Sequence, residues 1–287
     1  MENGTIEVYF NLTMFVNIGP YRYLAFVFCF LLYAFIVSAN LVIILTISQE
    51  RSLHEPMYIF VSCLSINSLY GSAGLFPRLL QDLLSDTHLI SRPACFTQVY
   101  IIYSYASYEC TILSIMAYDR YIAVCHPLHY NSTISCKTIS KLALLAWLCP
   151  AFSLATIVLL SVRLPLCGNE KNKVFCAPWF VVRLSCIDTT LNNVVGIKSS
   201  SEFKGKVLQK CLPHIVTYVI YCITAFSDIA LSRFNPNELN PIVATILSLE
   251  FAVIPPILNS LVYGLKLPEI RRHIFRIRPT RFLLRSK

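Results

Sequence analysis

Charge is scarce in this chain. Only 14% of its 287 residues are charged, with 15 Asp and Glu against 24 Lys and Arg. A soluble domain carries about a quarter charged residues. The deficit lies in long apolar runs, and 56% of the chain is hydrophobic. That excludes an ordinary soluble domain and fits a polytopic membrane protein. Motifs for chemistry are missing too. There is no phosphate loop, no His-Glu-x-x-His, no nucleophile elbow and no dinucleotide fingerprint. No two buried acids stand at a helical spacing suited to acid–base work. Neither an enzyme nor a cofactor is expected. Internal repeats, heptad arrays and low-complexity linkers are also lacking. So is a cleavable signal peptide: residues 1–20 are polar and mixed, without a basic start and a short apolar core.

What is present is a series of apolar stretches near the length that a bilayer demands, about 20 residues each. They predict spans over 23–47, 57–84, 96–124, 142–162, 211–231 and 239–263, which together make one membrane domain, 23–263. Residues 1–22 form an N-terminal arm with two sequons, Asn3-Gly4-Thr5 and Asn11-Leu12-Thr13. Glycosylation at Asn3 or Asn11 would put the N-terminus outside. Residues 264–287 hold an amphipathic stretch and a basic tail with Lys266, Arg271, Arg272, Arg276, Arg278, Arg281, Arg285 and Lys287. A basic tail beside a final span reads as cytoplasmic. The net charge of +9 sits largely there, so nucleic-acid binding is not expected. Cys211 and His214 alone make a weak metal pair with no second pair nearby, and no metal site is expected.

Ionisable residues at membrane depth are costly and usually functional. Asp119 and Arg120 stand side by side where the third apolar run stops. They read either as a charge switch or as a snorkelling pair at a helix end. Glu109 is buried by position and must be protonated, paired or ion-bound. Asn40 interrupts the first span and would hydrogen-bond a neighbouring helix. Cys95, Cys167, Cys176 and Cys186 lie on one side of the predicted spans, and four cysteines allow three pairings. A transporter or channel subunit, with these charges as its ion path, is the alternative class. It would show paired broken helices or internal symmetry.

The stretch Met116–Tyr130, MAYDRYIAVCHPLHY, closely resembles the end of the third helix in fish-type odorant receptors, within the rhodopsin-like G-protein-coupled receptors. Pro56-Met57-Tyr58, Leu64-Ser65, Glu109-Cys110, Trp147 and Cys211-Leu212-Pro213-His214 match family positions in register, and Asn259-Ser260-Leu261-Val262-Tyr263 resembles the family's Asn-Pro-x-x-Tyr with Ser260 in place of the proline. The resemblance implies an all-α polytopic fold, a seven-helix bundle. It implies a small odorant bound in an outer cavity, a heterotrimeric G protein of the adenylate cyclase pathway as partner, and residence in the plasma membrane. Asp119, Arg120 and Tyr121 would be the G-protein switch. Cys95–Cys176 and Cys167–Cys186 would be the disulfides. Asn40, Glu109, Asn259 and Tyr263 would form an internal polar network. Ile102, Tyr103, Ala106, Ser107 and Cys110, spaced along one face, are pocket candidates, with Tyr221 and Cys222 facing them. The same residues read singly as a helix-packing face.

Two departures matter. Ser68 stands where the family has an aspartate that helps hold sodium, although Glu109 could supply one carboxylate. Then Asp188–Ile197, which opens like the fifth helix, runs directly into Lys198–Glu202, which resembles the loop before the sixth. Phe180–Ile197 contains Arg183, Asp188, Asn192 and Asn193, too short and polar to span. The fifth helix is missing on this reading and about six spans remain. A chain so shortened would be retained in the endoplasmic reticulum. Counting spans from an outside N-terminus would invert the last two and export the basic tail.

Overall fold

A computed structural model describes residues 9–12, 21–164, 170–171, 176, 223, 249–250, 253–261, 270 and 272. Within them the chain is mostly helical. Strand β1 is Tyr9–Leu12, helix α1 Arg22–Gln49, α2 Pro56–Leu84, β2 Leu89–Ser91, α3 Arg92–Cys125, α4 Tyr130–Thr133, α5 Cys136–Val162 and β3 Glu170–Lys171. Three of the helices, α1, α2 and α5 from Lys137, are long and apolar enough to cross a membrane. Helix α3 is longer than any of them, 34 residues, but carries Glu109, Asp119 and Arg120.

The helix ends follow local chemistry. Pro56 opens α2, where a missing N–H costs nothing. The Ser91 hydroxyl caps α3 by accepting from the Ala94 N–H, and Ser135 does the same for α5 from Thr138. These caps start α3 at Arg92 rather than Phe96 and α5 at Cys136 rather than Leu142. Hydropathy sees only the apolar part of a helix, and the helical hydrogen bonds continue past it. Much of the stretch between the expected third and fourth spans, 130–133 and 136–141, is accordingly helical.

The expectation of a purely helical fold needs one correction. A three-stranded sheet, in the order β2-β1-β3, closes one end of the bundle. β1 pairs antiparallel with β2, Phe10 opposite Ile90, and parallel with β3. Phe10 is fully buried and packs with Ile90, Phe96, Val99 and the Cys95–Cys176 disulfide, whose Cα atoms are 5.5 Å apart. One apolar side chain thus draws the arm into the sheet. Cys167, Cys186 and Asn3 lie outside the described residues.

Two further clusters fill the bundle. Ile36, Leu75, Phe76, Leu79, Leu83, Ile102 and Ala106 lie toward the disulfide end. Ile43, Ile47, Leu53, Phe60, Leu64, Ile112 and Met116 lie toward the Asp119 end. Between them α2 and α3 approach closely. A Cβ on Gly71 would overlap the Tyr105 ring, and one on Gly74 would overlap Ile101. Small residues permit such approach in apolar surroundings.

Replacing Cys95 with serine is expected to destabilise this end of the bundle by about 2–4 kcal/mol. Thermal unfolding of detergent-solubilised protein measures it. Peptide mapping should recover Cys95–Cys176, whereas a Cys95–Cys167 peptide would contradict the pairing.

Candidate functional site: the polar spine of the third helix

Helix α3 carries two polar sites. The first is deep. Glu109 is fully buried; its Oε2 accepts from Asn67 Nδ2 at 2.9 Å and its Oε1 from Asn259 Nδ2 at 2.6 Å. The same Asn67 amide also donates to the Tyr105 carbonyl at 3.0 Å. One carboxylate therefore joins α2, α3 and the helical residues 253–261. A buried acid is tolerable only with such partners. Asn67 was not singled out from sequence. Its signal was present, a second mid-span amide beside Ser68.

Asn40 is placed differently from expectation. It is fully buried, and among the described residues its Nδ2 donates to the Ile36 carbonyl of its own helix at 2.8 Å and to no neighbouring helix. A carbonyl one turn back is always in reach of a helical asparagine, and here it wins. Tyr263 lies outside the described residues. Ser68 is fully buried, and its Oγ, like Asn67 Oδ1 and Asn259 Oδ1, has no protein hydrogen-bond partner among the described residues. The residues present fit sodium poorly. Both Glu109 oxygens face amide N–H groups, and a neutral hydroxyl stands where a second carboxylate is implied. Among the described residues, no three His, Cys, Asp or Glu converge as a metal site.

The second site closes α3 at its far end. Asp119 is buried, and its Oδ2 accepts from Arg120 Nη2 at 2.6 Å and from Arg120 Nε at 2.9 Å. Tyr130, on α4, donates its hydroxyl to Asp119 Oδ1 at 2.8 Å. Both carboxylate oxygens are thus engaged, and Arg120, its side chain 29% exposed, is held against its own helix. Tyr121 is exposed and meets His126 edge-on, with ring centroids 5.6 Å apart. Tyr130 ends the Met116–Tyr130 stretch, but a clamping role was not legible there. Burial, with the bond to Asp119, pushes its hydroxyl up to about 12.

That shift gives a pH window. The ordinary tyrosine value is about 10. The folded value is higher, so the contribution of the neutral hydroxyl is complete below about 10 and is lost as pH rises through about 12. Tyr130 therefore donates at every physiological pH. Tyr130→Phe is expected to cost about 1 kcal/mol in the clamped state, since a hydrogen bond to a charged group contributes about 1.5–3 kcal/mol and this one is partly exposed. Chemical denaturation at pH 7 and pH 11.5 checks it: the difference between wild type and variant should shrink at the higher pH.

The pocket candidates divide. Ile102 and Ala106 are buried in the cluster with Leu75, Phe76 and Leu79, where they serve helix packing. Tyr103 and Cys110 are half-buried at its edge, and Tyr103 also touches the disulfide cluster. Ser107 is half-buried and donates to the Tyr103 carbonyl at 3.0 Å. Tyr221 and Cys222 lie outside the described residues.

A sequence profile described as "Olfactory receptor" matches residues 28–200 and 194–280. Human olfactory receptor 51L1 is 30% identical over 295 aligned positions, covering 93% of this chain and 92% of the relative. Human olfactory receptor 6N1 is 31% identical over 280 positions, 88% of each. Human olfactory receptor 10A6 is 28% identical over 315 positions, 99% of each. That last alignment is longer than the 287-residue chain, so at least 28 of its positions stand opposite gaps in this chain.

Proposed function

The chain belongs to the olfactory receptor family, and on that premise we propose that it is built to bind a small odorant and to signal through a heterotrimeric G protein. It is a membrane receptor and not an enzyme, and membership displaces the transporter alternative. The observation that carries the signalling reading is the Arg120 clamp. A guanidinium paired with a buried neighbour, at the opposite end of α3 from the disulfide, has a resting partner and can exchange it for another. A ligand drives such an exchange only by binding one state better than the other. Tyr103, Ser107 and Cys110 are the third-helix residues best placed for odorant contact, since they are only half-buried whereas Ile102 and Ala106 are buried.

The second part of the proposal is that this chain, as written, does not signal. Three observations support it. Phe180–Ile197 is too polar to span. The two family matches meet at 194–200, where the pattern breaks. The 28 or more unmatched positions would accommodate one span. In the family the fifth helix packs beside the sixth, whose motion carries the signal, so the sixth span at 211–231 would lack its neighbour. The test is a completed form, with an apolar span of about 22 residues inserted between Ile197 and Lys198. An odorant panel with a cyclic AMP reporter should give responses in the completed form alone.

We further propose that the N-terminus is outside. The sheet and disulfide sit at the end where the arm is bound, and disulfides form in oxidising compartments. Glycosidase treatment should increase gel mobility through loss of sugar at Asn3 or Asn11, and Asn3→Gln with Asn11→Gln should remove the shift. A wild-type chain without that shift would contradict the placement.

A further inference from the structure

The direction of the last helix is legible in its contacts. Leu249, Val253 and Ile257 pack against the cluster toward the disulfide end. Asn259 then meets Glu109 at mid-height. Ile270 is buried in the cluster with Leu53, Phe60 and Met116, toward the Asp119 end. The segment therefore descends from the disulfide end, as α1 and α3 do. Helix α5 ends at the disulfide end, where Arg92 holds the carbonyls of Val162 and Leu164 at 3.0 and 2.8 Å. A chain that leaves α5 and starts its last helix on one side of a bilayer crosses it an even number of times between them. The span count, with one apolar stretch at 211–231, demands the opposite.

We infer that Glu109, gripped by Asn67 and Asn259, is an orienting latch that sets the direction of the last helix against the span count and keeps the basic tail on the Asp119 side. Asn259 lies well to the C-terminal side of the middle of 239–263. Turning the helix round would move it roughly 24 Å along the axis, at about 1.5 Å per residue. Glu109 would lose one of its two donors, and the Asn259 amide would face hydrocarbon or headgroups. The basic tail favours the same side, so the contribution of the latch must be separated from that of the tail. The inference concerns insertion and does not depend on odorant or G protein.

The experiment is translation of the full chain into microsomes, with a glycosylation acceptor added after Lys287 and protease protection as a second readout. In the parent chain the tail should be unglycosylated and protease-sensitive. Asn259→Leu and Glu109→Leu, with every tail charge kept, should raise the lumenal tail fraction several-fold. Glu109→Gln should behave closer to the parent than Glu109→Leu: its oxygen still accepts from Asn259, and its amide can donate to Asn67 Oδ1, which has no partner among the described residues, once the Asn67 amide turns over. Recovery of the Cys95–Cys176 peptide from each variant establishes that the first helices have folded. A lumenal tail in the parent chain overturns the inference. So does a cytosolic tail in both leucine variants, because the tail charges alone would then suffice.

Discussion

Arg120→Ala in the completed form is expected to abolish the odorant-evoked cyclic AMP response, by more than about tenfold, while surface level stays within about twofold of the parent. The asymmetry follows from geometry. Arg120 is bonded to Asp119, the residue beside it on the same helix, and its side chain is 29% exposed. Among the described residues its bonds are to its own helix alone, and a partly exposed pair contributes at most about 1 kcal/mol to stability. Its removal does eliminate the one cation that the clamp holds ready. Asp119→Asn tests the reverse direction. It releases Arg120 while keeping an oxygen for Tyr130, and basal cyclic AMP should rise several-fold. A full response in Arg120→Ala would show that the exchange of partners is not the switch.

The second large effect concerns delivery to the surface. The chain as written is expected to remain in the endoplasmic reticulum, with surface labelling about a tenth or less of the completed form. The connection from α5 to the last helix is the cause. If Phe180–Ile197 supplies the second crossing, Arg183 and Asp188 go to mid-bilayer at about 2.5–3.5 kcal/mol each. If 211–231 fails to cross, about 20 apolar residues lack a bilayer. If the last helix inverts, Glu109 loses Asn259 and eight Lys and Arg are exported. Each route leaves exposed apolar or unsatisfied polar surface. Endoglycosidase-sensitive sugar on nearly all of the chain is the expected readout. Mature sugar on the chain as written would contradict it.

Much of this was legible in the sequence because a bilayer imposes a length, and because Asp119, Arg120, Glu109, Cys95 and Cys176 are individually conspicuous in an apolar chain. The rest depends on contacts that no local pattern reveals. The Asn40 and Asn67 amides look alike along the chain; one bonds its own helix and the other bonds Glu109, because of where α3 lies. β1 is four residues of an unremarkable polar arm, ordered by Phe10 reaching the disulfide. Ile102 and Ala106 share a helical face with the other pocket candidates, but α2 comes close enough at Gly71 and Gly74 to bury that edge. The direction of the last helix stays open in the sequence, because the basic tail reads as cytoplasmic while counting each apolar stretch as one crossing puts the tail outside. Three contacts, at Val253, Asn259 and Ile270, carry the missing information.

The central claim is that this chain carries an olfactory receptor's switch without the helix that lets the switch move. The most direct measurement is cyclic AMP accumulation in cells expressing the chain as written beside the completed form, over one odorant panel, normalised to surface level. The account predicts a response to at least one odorant in the completed form, lost in Arg120→Ala, and none from the chain as written. An odorant response of equal size from both forms would contradict it.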